Sequence, residues 1–472
     1  MFQLNNINDT IAAISTSLGQ GAIGIVRLSG GQALIIADAM FITKNRSRPS
    51  QFKNFTIHYG WVTKKNKDGQ EEQIDEALLT VMRAPQSYTK EDVVEISCHG
   101  GMVSLRAILS LALDLGARLA EPGEFTKRAY LNGRIDLAQA EAVLDIIQSK
   151  TDTFLRISTN QLKGELSTEL EAIREILLNV YVALEALVNF PEDVPAGTTV
   201  TEGLPLQQKV NAALNRVDKL LATSHQGRIL KEGIKIVICG RVNVGKSSLL
   251  NVLLKTPRAI VCAIAGTTRD TIEETAEIQG IPFQLVDTAG ILKPRDFIEE
   301  EAVKRSQMSI QGADLVLLLV DAGAPLTEED KKLMNDVKDQ SALVVFNKCD
   351  LPLKASENEV REILPAKEIV RISALEKTGI EQLESRIAGQ VLKGGASQSM
   401  EGILLSNVRH IEALKKCQEA LNHAQEAFRD GLSWEFVSEE IKFAVHHLDT
   451  ITGRDIGTDL LQTIFSQFCI GK

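Results

Sequence analysis

Lys246 and Ser247 close the run GRVNVGKSS, which starts at Gly240, and four short clusters follow it in order. They are GTTRD at 266–270, DTAG at 287–290, NKCD at 347–350 and SAL at 373–375. The first fits GxxxxGKS, a loop between strand and helix whose backbone N–H groups and helix N-terminus present positive potential to a polyphosphate. Asn243, Val244, Gly245, Lys246, Ser247 and Ser248 are expected to line that anion, with Lys246 at the terminal phosphates and the Ser247 hydroxyl on Mg2+. Thr268 is the natural second hydroxyl on the metal. It follows Cys262, Ala263, Ile264, Ala265, Gly266 and Thr267, in a segment that a γ-phosphate would order and hydrolysis release. Asp287 can hold the metal through water, and beyond Thr288 and Ala289 the Gly290 N–H can meet the γ-phosphate. Asn347, Lys348 and Asp350 carry the base-reading chemistry. Asp350 can accept two hydrogen bonds from the guanine edge, and adenine would leave it unpaired, a mismatch worth on the order of 10⁴ in discrimination. Ser373 and Ala374 would support the base through backbone contacts. The set implies GTP as the nucleotide and its hydrolysis as the reaction.

Two further requirements of that reaction are met unusually. Small Ras-like enzymes place a Gln directly after DxxG to orient the attacking water, and this chain has Ile291 there. The stretch FIEEE at 297–301 supplies carboxylates at a suitable remove: Glu299, Glu300 or Glu301, two of which read as solvated helix face. No arginine finger is evident in cis, so another cation must neutralise the charge developing between the β- and γ-phosphates. Asn243 could hold a monovalent cation with its side-chain oxygen, helped by carbonyls of the following loop, or could simply cap the phosphate loop.

The elements around these residues fall into blocks. Residues 1–120 mix strand-like runs (AIGIVRLSG at 22–30, EALLTVM at 76–82, VVEIS at 93–97) with helical GQALIIADAMF and an amphipathic helix over 103–115, which predicts an α+β domain. The polar run TKKNKDGQEEQ at 63–73 reads as a hairpin tip. From 124 to 188 apolar residues recur at three- and four-residue spacing with almost no Gly or Pro, which predicts long packed helices. Two prolines and several turn formers break the pattern at 189–203, and helix resumes over 204–224. Strand and helix then alternate through IKIVIC, SLLNVLL, IPFQLVD, DLVLLLV, ALVVF and IVRIS, the pattern of buried parallel strands. Helical periodicity returns from 406. The expected organisation is 1–120, a helical first half 121–222, an α/β module 223–384 inserted into it, and a helical second half 385–472.

Composition narrows the setting. The chain has 472 residues, 44% hydrophobic and 24% charged, with a formal charge of −10. No apolar run approaches the roughly 18 residues of a membrane span, and MFQLNNINDTIAA lacks the basic and apolar regions of a secretory signal. Six cysteines are scattered without a CxxC pair, so a reduced, cytoplasmic setting is expected, with neither a zinc site nor a disulfide framework. The acidic balance does not suit a protein that coats nucleic acid unaided. Residues 394–472 carry seven Lys and Arg against eleven Asp and Glu, so a basic partner would carry much of any RNA binding.

GRVNVGKSSLLN with IAGTTRD and DTAG resembles the bacterial GTPases that act on tRNA and ribosomes. PGEFTKRAYLNGRIDLAQAEAV at 122–143, VVEISCHGG at 93–101 and the terminal FCIGK narrow the resemblance to the MnmE (TrmE) family of tRNA modification GTPases. The resemblance implies a multidomain fold: an α+β N-terminal folate-binding-like domain that dimerises, an all-α helical domain, and an inserted α/β P-loop GTPase (Ras-like) domain. It implies a homodimer that joins an FAD-bearing partner, MnmG (GidA), in a heterotetramer. That assembly would add a carboxymethylaminomethyl-type group at C5 of the wobble uridine of tRNA, with a one-carbon unit from 5-formyl- or 5,10-methylene-tetrahydrofolate. GTPase domains would dimerise across potassium, held by the Asn243 side chain and carbonyls of Cys262, Ile264 and Thr267. The water-orienting Glu falls on Glu299, and Lys246 and Thr268 serve the same reaction. Folate contacts fall on Arg27, Glu95, Arg134 and Lys472, where Arg134 stands in place of the more usual Lys. A pterin presents adjacent N–H donors much as guanine does, so Glu95 could read it as Asp350 reads guanine. Cys469 would lie near the folate and the modification chemistry, as nucleophile or as structural thiol. A C-terminal CaaX reading of that cysteine is weak, because Gly and Lys are poor at the last two positions. His99, His446 and His447 read as packing or hydrogen-bonding residues rather than metal ligands. The competing function is a ribosome-assembly GTPase of the Era or Der type. A third reading, a pure signalling switch, predicts slow intrinsic hydrolysis.

Overall fold

The computed structural model describes residues 9–17, 19, 21–66, 68–189, 203–254, 274–287, 310–392 and 402–472. They form two units: Met1–Leu144 with Leu162–Ser167 and Asp449–Lys472, and Asp145–Gln161 with Thr168–Leu448. Among the described residues no helix is long and apolar enough to cross a membrane.

The first unit is built on seven strands: β1 (Ile11–Ile14), β2 (Ile23–Ser29), β3 (Phe41–Thr43), β4 (Thr56–Lys65), β5 (Glu71–Met82), β6 (Val93–His99) and β7 (Arg118–Leu119). Their order is β3-β4-β5-β6-β2-β1-β7, antiparallel except where β1 meets β7. In β5 the side chains of Ala77, Leu79 and Val81 are buried and the intervening Leu78 is exposed, the period-two pattern of a sheet covered on one face. The cover is α1 (Ala33–Met40) and α2 (Met102–Asp114), whose Ile36, Met40, Leu105 and Ile108 share that core. Strand pairing runs on into the polar 63–73 run, as far as Lys65 opposite Glu71, so the hairpin tip is shorter than its composition predicts. Backbone pairing there does not require a buried face. A second cluster joins α3 (Glu124–Leu131), α4 (Leu137–Gln148) and α15 (Thr458–Ser466) through Ala129, Leu137, Leu461, Phe465 and Phe468.

The second unit combines helices with a six-stranded sheet. The helices α5 (Asp152–Leu162), α6 (Glu165–Asn189), α7 (Gly203–Ala222) and α8 (Ser224–Glu232) lead into β8 (Ile234–Cys239) and α9 (Lys246–Leu254). Then come β9 (Glu274–Ile278), β10 (Ile281–Asp287), β11 (Leu315–Asp321), α10 (Glu328–Asp336), β12 (Ala342–Asn347), α11 (Glu357–Ile363), β13 (Glu368–Arg371) and α12 (Ile380–Leu392). Two long helices close the unit, α13 (Val408–Asp430) and α14 (Trp434–Thr452). The sheet order is β13-β12-β11-β8-β10-β9. Residues of β8, β11 and β12 are buried almost without a break, because separate apolar clusters cover both faces. The alternation of the sequence predicts parallel strands, and five of the six are parallel. The edge strand β9 runs antiparallel to β10, joined by Gln279 and Gly280, both at positive φ as a two-residue hairpin requires.

Candidate functional site

Three neighbouring parallel strands, β8, β11 and β12, end at the same edge of the sheet, where ligands of open α/β sheets collect. Beyond β8 the chain makes the loop 240–245 and enters α9 at Lys246. Gly245 has φ +99°, and a Cβ there would lie 2.3 Å from the Asn347 Nδ2 atom, so only glycine fits. Asn243, exposed on the loop, is also left-handed at φ +65°. Lys246 is buried, and its ammonium donates to the Gly240 carbonyl at 2.7 Å and the Arg241 carbonyl at 2.8 Å. The loop is thus curled around a cation at the start of a helix, with Ser247 and Ser248 exposed in the first turn. That donor set suits a polyphosphate with a hydroxyl-ligated divalent metal.

Asn347, at the end of β12, is 2% exposed. Its amide donates to the Val244 carbonyl at 2.8 Å, and its oxygen accepts from the Ala374 N–H at 3.0 Å. One side chain therefore fastens the phosphate loop to the 373–375 loop. Lys348 donates to Asp321 Oδ2 at 2.7 Å. Burial pushes the Asp321 carboxyl up, but Lys348, the Gly323 N–H and Arg241 outweigh it and hold the group below the usual range. Arg241 also faces Asp330 at 3.4 Å. Asp350 is exposed, and Oδ1 of its carboxylate accepts from the Ser373 hydroxyl at 2.5 Å. Ser373 Oγ in turn accepts from the Glu376 N–H. A solvent-facing carboxylate oriented from behind is suited to read paired N–H donors on a base.

Direct contacts join Asn347 to Val244 and Ala374, and Ser373 to Asp350, while Asn243, Gly245, Lys246 and Ser247 lie on the same loop and helix turn as Val244 and Lys348 follows Asn347. Asp287 ends β10 opposite Ile238 of β8. Cys262, Ala263, Ile264, Ala265, Gly266, Thr267, Thr268, Thr288, Ala289, Gly290 and Glu299 lie outside the described residues. Asp321 and Arg241 are absent from the sequence reading. Their only signal is the Asp that closes the apolar run of β11.

A second cluster lies in the first unit. Arg27 of β2 stands opposite Glu95 of β6 and donates to it at 2.8 Å. The Arg27 guanidinium sits 5.7 Å from the Tyr88 ring centre and 5.5 Å from that of Phe125, while Arg134 lies 4.7 Å over Tyr88. The C-terminal residues run past the same place. Gly123 N–H donates to the Cys469 carbonyl, Phe125 N–H donates to the Lys472 carbonyl, and Arg27 reaches the Gly471 carbonyl at 3.5 Å. Gly471 has φ +96°, and a Cβ would come within 2.3 Å of the Ile14 carbonyl, so this pass is open to glycine alone. Arg27 thus faces both rings and holds Glu95, Arg134 faces Tyr88, and the backbone of Cys469 and Lys472 is fastened to Gly123 and Phe125, with Cys469 exposed. A part-exposed carboxylate beside guanidinium groups and two rings suits a flat, N–H-rich ligand with an anionic tail. By contrast, burial pushes the Cys239 and Cys417 thiols up to about 12, which leaves them protonated.

Beneath this cluster is a charge network that sequence reasoning missed. The buried Arg128 binds Asp9 at 2.5 Å, Glu124 at 3.0 Å and Glu91 at 3.1 Å, and Arg118 binds Asp9 and Glu124 as well. Burial raises the Glu124 carboxyl, but Arg118, the Glu121 N–H and Arg128 reverse this and keep it below the usual range. The three histidines have hydrogen-bonding or packing roles. His99 pairs with Asp75 at 2.7 Å, and the His446 and His447 rings stand 5.4 Å apart.

Two family models match the chain: "GTP-binding protein TrmE N-terminus" over residues 10–134 and "MnmE helical domain" over residues 137–469. It is similar to the tRNA modification GTPase MnmE of Lactiplantibacillus plantarum, 43% identical over 464 residues and 98% of each chain. It is likewise similar to that of Enterococcus faecalis, 44% identical over 466 residues and 98% of each chain. Among solved structures, the FeoB G-domain of Methanococcus jannaschii aligns at 29% identity, over 34% of this chain and 97% of that one, with a TM-score of 0.26.

Proposed function

This chain belongs to the MnmE (TrmE) family of tRNA modification GTPases, and from that membership we propose that its GTP hydrolysis drives modification of the wobble uridine of tRNA at C5. The observation that carries the reading is the pairing of two sites in one chain. One is the GTPase site fastened by Asn347, and the other is the Arg27–Glu95 cluster closed by the C-terminal residues.

In the first site Lys246 would leave its loop carbonyls for the terminal phosphates, and Ser247 and Thr268 would hold Mg2+, which neutralises phosphate charge when bound. Asp287 would support that metal through water, and Asp350 would fix the guanine. Glu299 would orient the water that attacks the γ-phosphorus, giving GDP and inorganic phosphate. Asn243, with the carbonyls of Cys262, Ile264 and Thr267, would hold potassium, which would supply positive charge to the developing phosphate oxygens when bound. In the second site Glu95 would read a tetrahydrofolate's pterin N–H groups, with Arg27, Arg134 and Lys472 as its cationic partners. Cys469 would lie beside the one-carbon unit. The chain would act as a homodimer with the FAD-bearing MnmG.

Two measurements test this. Hydrolysis should be fast in potassium and slow in sodium, and Asn243→Ala should abolish the difference. Equal rates in both salts would sink the cation assignment. Mass spectrometry of wobble uridines from a strain lacking this chain should show loss of the modified nucleoside, and an unchanged profile would rule the modification reading out.

A further inference from the structure

An acidic chain that acts on tRNA needs a place where phosphate charge is welcome, and residues 39–67 hold seven Lys and Arg with no Asp or Glu. Residues 41–65 of this stretch include β3, a short helical turn at Pro49–Gln51 and β4, at one edge of the seven-stranded sheet. Lys44, Arg46, Arg48, Lys53 and Lys65 are all exposed. Lys64 is paired, with Glu72 at 3.2 Å, and no ion pair among the described residues engages Lys44, Arg46, Arg48 or Lys53.

The surface is grooved as well as basic. Three adjoining clefts of about 620, 710 and 740 Å³ run along it, the first two sharing Lys44 and Tyr59, the last two Arg46. The first cleft includes Lys44, Lys53, His58 and Tyr59 and no acid. Acid enters with the second cleft, where Glu71 stands among Lys44 and Arg46, and increases in the third, which Asp38, Glu71 and Asp114 line together. Tyr59 and Phe55 are 54% and 62% exposed, large rings without cover beside unpaired cations. Phosphate-seeking cations interleaved with uncovered rings are the combination that holds unpaired nucleotides, with charge for the backbone and ring faces for the bases.

We propose that the first two clefts, centred on Lys44, Arg46, Lys53 and Tyr59, are an RNA-binding surface that takes a single-stranded or looped segment of the tRNA. The inference rests on the reading of this chain as a tRNA-acting enzyme.

The test uses the full-length chain and an unmodified tRNA transcript, with affinity followed by fluorescence anisotropy across a potassium chloride series. In the first variant Lys44→Gln, Arg46→Gln and Lys53→Gln are combined. A control removes equal charge elsewhere through Lys332→Gln, Lys338→Gln and Lys354→Gln, which are exposed on the second unit. The first variant should bind tRNA about tenfold to 100-fold more weakly near 0.1 M salt, and its log–log salt slope should be shallower by about 2. The control should match the wild type. Tyr59→Ala should weaken binding by about tenfold with the slope unchanged, which is the mark of lost stacking rather than lost charge. GTP hydrolysis without tRNA should be unaltered in all of them, which reports a folded chain. Equal affinity and slope for the first variant and the control would overturn the surface while leaving the tRNA reading intact. A wild type that binds no tRNA would overturn the surface too. The uridine profile would then decide the broader reading separately.

Discussion

Asn347 spends both ends of one buried amide, donating to the Val244 carbonyl at 2.8 Å and accepting from the Ala374 N–H at 3.0 Å. Truncation to Ala would leave those two backbone groups without the side chain that pairs them. A buried unpaired group costs about 1–3 kcal/mol, so Asn347→Ala should destabilise the nucleotide-free second unit by roughly 2–4 kcal/mol. Calorimetry of wild type and variant would show this, and fluorescent-GDP titration should show weaker binding as the two loops separate. If binding weakens while the melting transition is unmoved, the amide touches the ligand only and the fastening argument fails. The sequence exposes this residue, because NKCD has a recognisable spacing, but it does not expose the job. The partners Val244 and Ala374 lie 103 and 27 residues away, and only the fold brings them to one carboxamide.

At the scale of elements, the informative feature is the charge network that staples Asp9 just ahead of β1, Glu91 just ahead of β6, the strand β7 and the helix α3. Arg128 is 4% exposed and faces Asp9, Glu91 and Glu124 together. Removing it strands three carboxylates, so Arg128→Met should cost about 3–5 kcal/mol in the first unit. The pH dependence has a definite sign. Asp9 and Glu124 are held below their ordinary values of 3.8 and 4.5, despite burial that pushes both up. A depressed carboxylate stabilises the fold above its unfolded value, and that contribution is lost as pH falls through the lower folded value. Stability of the first unit should therefore fall steeply below about pH 4, and Glu124→Gln should flatten the fall while lowering stability at neutral pH. Circular dichroism melts from pH 3 to 7 on both proteins would check it, and parallel curves would contradict it. The network was not legible in the sequence, because Asp9 and Glu91 lie far along the chain from Arg118, Glu124 and Arg128, and only the fold brings them together. The main strands and helices were legible, because periods of 2 and 3.6 reflect burial by the nearest layer. The antiparallel β9 was not, since an edge strand is specified by its Gln279–Gly280 turn more than by its own pattern.

The whole molecule is an insertion whose two ends meet. Thr223, just after α7, accepts through its hydroxyl from the Leu405 N–H at 3.1 Å, so the chain leaves and re-enters the helical layer at one point. An insertion of that form can in principle be excised, because closing a short loop between adjacent ends costs little. Replacing residues 226–402 by a short Gly-Ser linker should leave α7 packed on α13 and leave the first unit's melting transition in place. The reverse piece is less self-sufficient than its motifs suggest. Phe154 and Ile157 of α5, which lie 80 and 77 residues before the start of β8 at Ile234, belong to the same buried cluster as Ile236, Leu317 and Val345 of the sheet. The β9–β10 turn also comes so close to α5 that a Cβ on Gly280 would lie 2.5 Å from the Thr153 hydroxyl. A fragment of residues 224–392 therefore loses two core side chains and exposes the apolar patch they covered. At about 1.5–3 kcal/mol for each buried side chain, it should be less stable than the same sheet in the full chain by roughly 3–6 kcal/mol. Phe154→Ala in the full chain should reproduce most of that loss, about 3–5 kcal/mol. The decisive measurement is the GDP-dependent melting transition of three proteins: wild type, Phe154→Ala and the 224–392 fragment. The variant and the fragment should both melt below wild type, and each should still be raised by GDP because the phosphate and base loops are intact. A fragment as stable as the wild type would show that the sheet's core is complete without α5. A variant that lowers the first unit's transition instead would mean that Phe154 serves that unit rather than the sheet.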